Sequence, residues 1–243
     1  MRYLILMLLF VVSCKPEKEK LTVQQIVDKS IQHSNLDKVK VATLSFNFRN
    51  NNYAAKRKKG EFEFTKTMVK DSVVTKDVLS NNNFQRFVND SLVSLSDKKE
   101  NIYRNSVNSV HYFSILPLGL NDNAVHKKLL ESVIIKGKEY YKIQVTFSED
   151  GGGDDFDDIF IYWFNKETFY LEYLAYKYHT NGGGVRFRDV KKENLVNGIR
   201  FVDYNNYKPM DKNIDFNIID KLYEEGKLKK LSEIVLENIK IKF

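Results

Sequence analysis

The stretch Leu44-Ser45-Phe46-Asn47-Phe48, followed beyond a polar Asn50-Asn51-Asn52 loop by Glu61-Phe62-Glu63-Phe64, decides the fold class. Apolar and polar residues alternate with a period of two, so each segment has one aromatic and one solvated face, the pattern of an antiparallel pair of strands. Ahead of it, Thr22 and Gln25 have capping-box spacing, and Val23, Ile26, Val27 and Ile31 recur at helical spacing, predicting a helix from Thr22 to His33. Beyond it, strands are expected at Met68 to Val78, Phe84 to Val88 and Leu92 to Leu95, with Asn89-Asp90 as a turn. Tyr103, Val107 and Val110 then predict a helix over Lys99 to Ile115 that Pro117 stops. Strands resume at Leu129 to Ile135, Tyr140 to Phe147, Ile159 to Phe164 and Phe169 to His179. Val196-Asn197-Gly198-Ile199 is a type I′ hairpin signal, because Asn-Gly tolerates positive φ at both turn positions. Ile214 to Glu225 reads as a short helix ended by Gly226, and Ser232 to Phe243 as a last strand whose phase slip implies a bulge near Glu237 or Asn238. About ten strands and two or three helices make an α+β chain, a curved antiparallel β meander with an N-terminal helix and internal helices.

Composition bounds the function. The 243 residues are 42% hydrophobic and 29% charged, and their net charge of +7 comes from 39 Lys and Arg against 32 Asp and Glu, a well-mixed surface. Collagen-like, disulfide-framework and wholly disordered chains are excluded, and no nucleic-acid partner is expected. The basic run Lys56-Arg57-Lys58-Lys59 reads as a solvated strand end or a contact for lipid headgroups.

The first twenty residues place the protein. Arg2 precedes an apolar run from Tyr3 to Val12, and Val11-Val12-Ser13-Cys14 ends in a small residue and the chain's one cysteine. At about 1.5 Å per residue that run reaches roughly 15 Å, half of a hydrocarbon core of about 30 Å, so it reads as a cleaved signal rather than a membrane span. Val-Val-Ser-Cys resembles the lipobox of bacterial lipoproteins, in which the cysteine is acylated and becomes the first residue after cleavage. The expected organisation is a signal peptide at 1–13, a lipidated Cys14 and charged tether at 14–20, and one domain at 21–243. Two or three acyl chains anchor such a domain stably to a membrane. Lys15 resembles the outer-membrane sorting pattern of enteric bacteria, and both the periplasmic face and the cell surface fit.

The leading helix, the long meander and the helix ahead of Pro117 together resemble the LolA/LolB-like fold, an open β half-barrel around a helical plug that binds lipid or acyl chains. More closely, the chain is similar to an uncharacterised family of Gram-negative lipoproteins with that fold. The residues behind this are Tyr53 with Arg57-x-x-Gly60-x-Phe62-x-Phe64, Leu116-Pro117-Leu118-Gly119-Leu120, Lys136-Gly137-Lys138-x-Tyr140-Tyr141-x-x-x-Val145-Thr146-Phe147 and Tyr162-Trp163-Phe164-Asn165-Lys166-Glu167-Thr168, within Leu21 to Pro209. The resemblance implies a hydrophobic cavity and assigns no activity. Its soluble carriers lack a lipid anchor, so an anchored chain is nearer to an acceptor, and no receiving-site residue carries over.

No motif of a named reaction is present: G-x-S-x-G, the P-loop, G-x-G-x-x-G, H-E-x-x-H and C-x-x-C are all missing. His33, His111, His126 and His179 have no metal-ligand spacing, so no catalytic residue, cofactor or metal is assigned. The acidic loop Glu149 to Asp158 is at most a weak Ca²⁺ site and otherwise a charged hairpin tip. Phe46, Phe48, Phe62, Phe64, Trp163, Phe169, Leu171 and Tyr173 are the ligand-binding candidates, which either pack as ordinary core or line a half-barrel cavity. Ile159 to Phe164 is apolar at successive positions and needs cover on both faces. The expected function is that of a non-enzymatic, membrane-anchored envelope lipoprotein binding a lipid or acyl chain. The alternative is a structural lipoprotein supporting an envelope protein complex.

Overall fold

A computed structural model describes residues 20–150 and 156–243. The signal segment, Cys14, nearly all of the tether and the middle of the acidic loop lie outside the described residues. Helix α1 (Val23–His33) begins as the sequence requires: the Thr22 hydroxyl accepts from the Gln25 N–H at 3.2 Å while the Gln25 side chain accepts from the Thr22 N–H at 2.8 Å. Its buried stripe is Ile26, Val27, Ser30 and Ile31.

Two antiparallel sheets follow. The first contains β1 (Thr43–Phe48), β2 (Asn51–Lys58), β3 (Glu61–Lys70), β4 (Val73–Ser80), β5 (Phe84–Val88) and the short β6 (Ser91–Leu92). Helix α2 (Asp97–Ser114) leads to the second sheet, made of β7 (Val125–Leu129), β8 (Val133–Ile135), β9 (Lys138–Phe147), β10 (Ile159–Asn165), β11 (Leu171–Tyr178), β12 (Gly184–Val196) and β13 (Ile199–Pro209). A 3₁₀ turn at Phe216–Ile218 runs into helix α3 (Ile219–Glu224), and the described chain ends with β14 (Leu228–Ile234) and β15 (Glu237–Lys242). Strand order is β15-β1-β2-β3-β4-β5-β6 in the first sheet and β14-β13-β12-β11-β10-β9-β7 in the second, with β8 also paired to β9. Neither order closes on itself, and the α+β class with a curved antiparallel meander holds. Among the described residues no helix is long and apolar enough to cross a membrane.

Two-residue turns set the register. Lys59-Gly60, Asp71-Ser72, Asn89-Asp90, Lys136-Gly137 and Asn197-Gly198 all carry positive φ at both positions, which matches the twist of the flanking strands. Several sequence expectations change here. Strand β2 lies between the two aromatic segments that were expected to pair, because Asn51 and Asn52 belong to a strand whose buried residues are Tyr53 and Ala55. Met68 to Val78 is a hairpin turning at Asp71-Ser72, Leu92 to Leu95 shrinks to the end of β6, and Leu129 to Ile135 is broken between β7 and β8. The terminal helix is shorter than Ile214 to Glu225. The bulge near Asn238 is real, with Ser45 opposite Lys240 and Asn47 opposite Glu237. The last strand is nevertheless two strands, and Val235-Leu236 carries the chain from the second sheet to the first.

The main core lies between the sheets and includes residues of α1 and α2. A second, smaller core lies on the other face of the second sheet, under α3. Strand β10 serves both: Tyr162 and Phe164 face the main core, while Ile161 and Trp163 face the smaller one. That is the two-sided cover its continuous apolar run demanded.

Candidate functional site, a cavity beneath helix α2

Helix α2 is tied to the first sheet by polar contacts. Asp77, fully buried, receives two hydrogen bonds from Arg86 at 2.6 and 2.7 Å, and the Arg86 guanidinium lies 3.2 Å from the ring centre of Tyr103 on α2. Lys66 donates to Ser106 at 2.9 Å, and His111 Nε2 lies 3.1 Å from the Thr65 carbonyl oxygen. Burial, aided by the Arg57 charge, pulls the His111 imidazole down to about 4. It is packed by the rings of Phe46, Tyr53 and Phe64 and stays neutral near pH 7.

On its far side α2 faces the second sheet across a cavity of about 460 Å³. The helix contributes Asn105, Asn108, Ser109, Tyr112 and Phe113; the sheet contributes Phe147, Phe160, Tyr162, Leu174, Tyr176 and Arg188. Phe62 reaches in from the first sheet. The volume is that of a small-molecule pocket, and its combination of apolar rings with a few polar groups is typical of one.

Three polar atoms at this cavity are buried and have no hydrogen-bond partner among the described residues: Tyr112 Oη, Tyr162 Oη and Arg188 Nε. Tyr162, Leu174 and Arg188 form one row, being direct partners across β10, β11 and β12. Burial pushes both tyrosine hydroxyls upward, so they are protonated donors at neutral pH. The Arg188 guanidinium lies against Phe113 and Tyr176, 5.4 and 5.3 Å from their ring centres, and donates to the Tyr176 hydroxyl at 3.2 Å. Gly119 fixes the position of Tyr112, since a Cβ there would stand 2.4 Å from the tyrosine ring.

The eight candidate residues do not form one group. Phe62 lines the cavity. Phe46, Phe48 and Phe64 are interior: Phe46 stacks on Tyr53 at 5.6 Å, Phe48 meets Phe113 edge-on at 5.2 Å, and Phe64 stacks on His111 at 4.5 Å. Leu171 is buried in the main core. Trp163 and Tyr173 belong to the core under α3. Phe169 sits after the β10–β11 turn with positive φ, beside His33 and Tyr141. Tyr112 and Arg188 carry no sequence signal for the site, and Tyr162 is legible only as one member of an aromatic-rich sheet. The spacing Tyr162, Leu174, Arg188 carries a signal only once the register of three strands is known.

At the end of the acidic loop, Asp157, Asp158 and His179 bring ligand atoms within 4.8 Å of one another. Asp158 accepts from the His179 backbone N–H at 3.1 Å, and His179 Nδ1 lies 3.5 Å from both carboxylates. Glu149 and Asp150 are also described, whereas 151–155 are not.

The sequence profile of the Family of unknown function (DUF6503) matches residues 1–237, and the chain belongs to that family. No curated protein matches it. Among solved structures it is similar to a LolA superfamily protein from Nitrosomonas europaea, at 11% identity and a TM-score of 0.49, over 92% of this chain and 93% of that one. It is also similar to a DUF1329 family protein from Desulfovibrio piger, at 11% identity and a TM-score of 0.44, over 90% and 92%. A third likeness is to the Mycobacterium tuberculosis lipoprotein LppX, at 11% identity and a TM-score of 0.29, over 67% and 91%.

Proposed function

We propose that this chain is a non-enzymatic lipoprotein of the bacterial envelope, anchored to the outer membrane through acyl chains on Cys14, whose domain holds a hydrophobic ligand in the cavity beneath α2. The observation that carries the reading is the cavity itself, about 460 Å³ lined largely by the rings of Phe62, Phe113, Phe147 and Phe160. Affinity comes from burying apolar ligand surface, at about 25 cal/mol per Å². The anchor rests on the apolar leader and the lone cysteine at its end.

The test uses residues 14–243 with Cys14→Ala, so that neither the apolar leader nor an acyl chain is attached, incubated with a membrane extract and measured by native mass spectrometry. A retained lipid is expected, and an empty protein at every extract concentration sinks the binding reading. Labelling of cells with radioactive palmitate tests the anchor separately: the label should enter the unsubstituted chain and be lost with Cys14→Ala.

The second reading, a tethered domain supporting an envelope protein complex, draws on the exposed valines Val69, Val73 and Val74 at the β3–β4 hairpin. Crosslinking in intact cells that traps one reproducible protein, with no lipid retained, would favour it.

A further inference from the structure

Interior arginines differ in how they are neutralised. Arg86 has Asp77 and Arg200 has Glu193, each by a short charge-assisted contact of 2.6 and 2.7 Å respectively. Arg188 has two aromatic faces and one tyrosine oxygen, its Nε is buried without a hydrogen-bond partner among the described residues, and its side chain lines the cavity. A buried donor left unmatched costs about 1–3 kcal/mol, more when charged, so an occupant that brings acceptor oxygens to Arg188, Tyr112 and Tyr162 relieves a cost that a purely apolar one does not. Adjacent strands lie about 4.8 Å apart, so the Cα atoms of Tyr162 and Arg188, two strands apart, are separated by roughly 10 Å. All three side chains line the same cavity, and Tyr162 feels the charge of Arg188 and the Tyr112 hydroxyl, so they are neighbours on its wall.

Resting on the binding reading above, we infer that the ligand is an acidic amphiphile: an apolar body against Phe62, Phe113, Phe147 and Phe160, and a carboxylate or phosphate head held by Arg188, Tyr112 and Tyr162. Arg188 supplies the charge and a planar array of donors suited to an oxyanion, and the two hydroxyls each donate to it. Two carboxylates also line the cavity, and the Asp122 charge acts on the Tyr112 hydroxyl. Asp158 is committed to His179, and Asp122, raised by its burial, has Lys127 and Lys40 as its charge partners.

The experiment compares three probes on residues 14–243 with Cys14→Ala: palmitate, palmitoyl lysophosphatidate and hexadecanol, which share a chain length and differ in the head. Binding of palmitate or lysophosphatidate about tenfold or more tighter than hexadecanol is expected. The better of the two acids identifies the head as a fatty-acid carboxylate or a lipid phosphate. Arg188→Gln should erase the preference while leaving hexadecanol binding in place, and Tyr162→Phe should weaken only the acids. Equal binding of all three probes overturns the inference and leaves hydrophobic binding standing, whereas binding of none defeats both. A preference that survives Arg188→Gln also overturns it. The three-probe comparison on the otherwise unsubstituted chain decides the matter even where Arg188→Gln fails to fold.

Discussion

The two faces of the second sheet solve opposite problems with the same strand. On the face under α3, the polar groups near Trp163 are matched: Lys142 donates to Asp220 at 3.0 Å and to the Asn217 carbonyl at 2.5 Å, the Trp163 indole N–H donates to Asp220 at 3.3 Å, and Tyr140 donates to Glu172 at 2.6 Å. On the face under α2, one residue along the strand from Trp163, the Tyr162 hydroxyl has no hydrogen-bond partner among the described residues, nor do Tyr112 Oη and Arg188 Nε. Trp163 and Tyr162 are both fully buried, so burial does not separate the faces; polar satisfaction does. The face under α3 closes its hydrogen bonds internally, whereas the face under α2 leaves these three polar atoms unmatched among the described residues.

The largest expected effect breaks the closed face. Asp220→Ala leaves Lys142 as an unpaired buried charge and should cost about 3–5 kcal/mol in urea denaturation. Lipid retention by whatever fraction remains folded should be unchanged. A loss under 1 kcal/mol would show that the ion pair is dispensable and the contrast false. Next is the main core beneath α2. His111 titrates at about 4 when folded against about 6.5 unfolded, so the unfolded chain binds the proton more readily. Its contribution is fully present above about pH 6.5 and is lost as pH falls toward 4, amounting to about 3 kcal/mol across that window. Stability curves of the unsubstituted chain and His111→Gln should converge on acidification, and parallel curves would refute the assignment. A smaller effect follows from Gly119→Ala, whose Cβ must displace the Tyr112 ring. It should cost about 1–3 kcal/mol by overpacking and should weaken lipid retention, since Tyr112 forms part of the cavity wall.

Much of this contrast was legible in the sequence, and its sidedness was not. The capping box at Thr22 and the Asn197-Gly198 turn act through neighbouring backbone, so local chemistry determines them. Only the basic end of β2 is legible, because Ala54-Ala55-Lys56-Arg57-Lys58 holds no β-branched or aromatic residue, and its burial comes from β1 and β3 on either side. For β10, the continuous apolar run announced two covered faces. Which face carries α3 and which the cavity depends on helices distant in sequence, so Trp163 and Tyr173 were candidates for a site they do not touch. Arg188 reads as an ordinary polar position of an alternating strand, and only its pairing opposite Leu174 brings it beside Tyr162.

The smallest expected effect sharpens the comparison most, because it predicts opposite signs for the same chemical change. Tyr140→Phe on the face under α3 deletes a donor that Glu172 accepts, and should destabilise the protein by about 1 kcal/mol. Tyr162→Phe on the face under α2 deletes a buried hydroxyl that has no hydrogen-bond partner among the described residues, relieving its desolvation cost. The ligand-free protein should gain roughly 1 kcal/mol and lose affinity for acidic amphiphiles at the same time. Each substitution removes one oxygen and leaves the ring to pack as before, so the difference between them isolates the hydrogen bond from the cavity volume. Urea denaturation of both variants, with and without palmitate, reads it directly. If Tyr162→Phe destabilises the ligand-free protein as much as Tyr140→Phe does, the Tyr162 hydroxyl has an internal role and the two faces are alike.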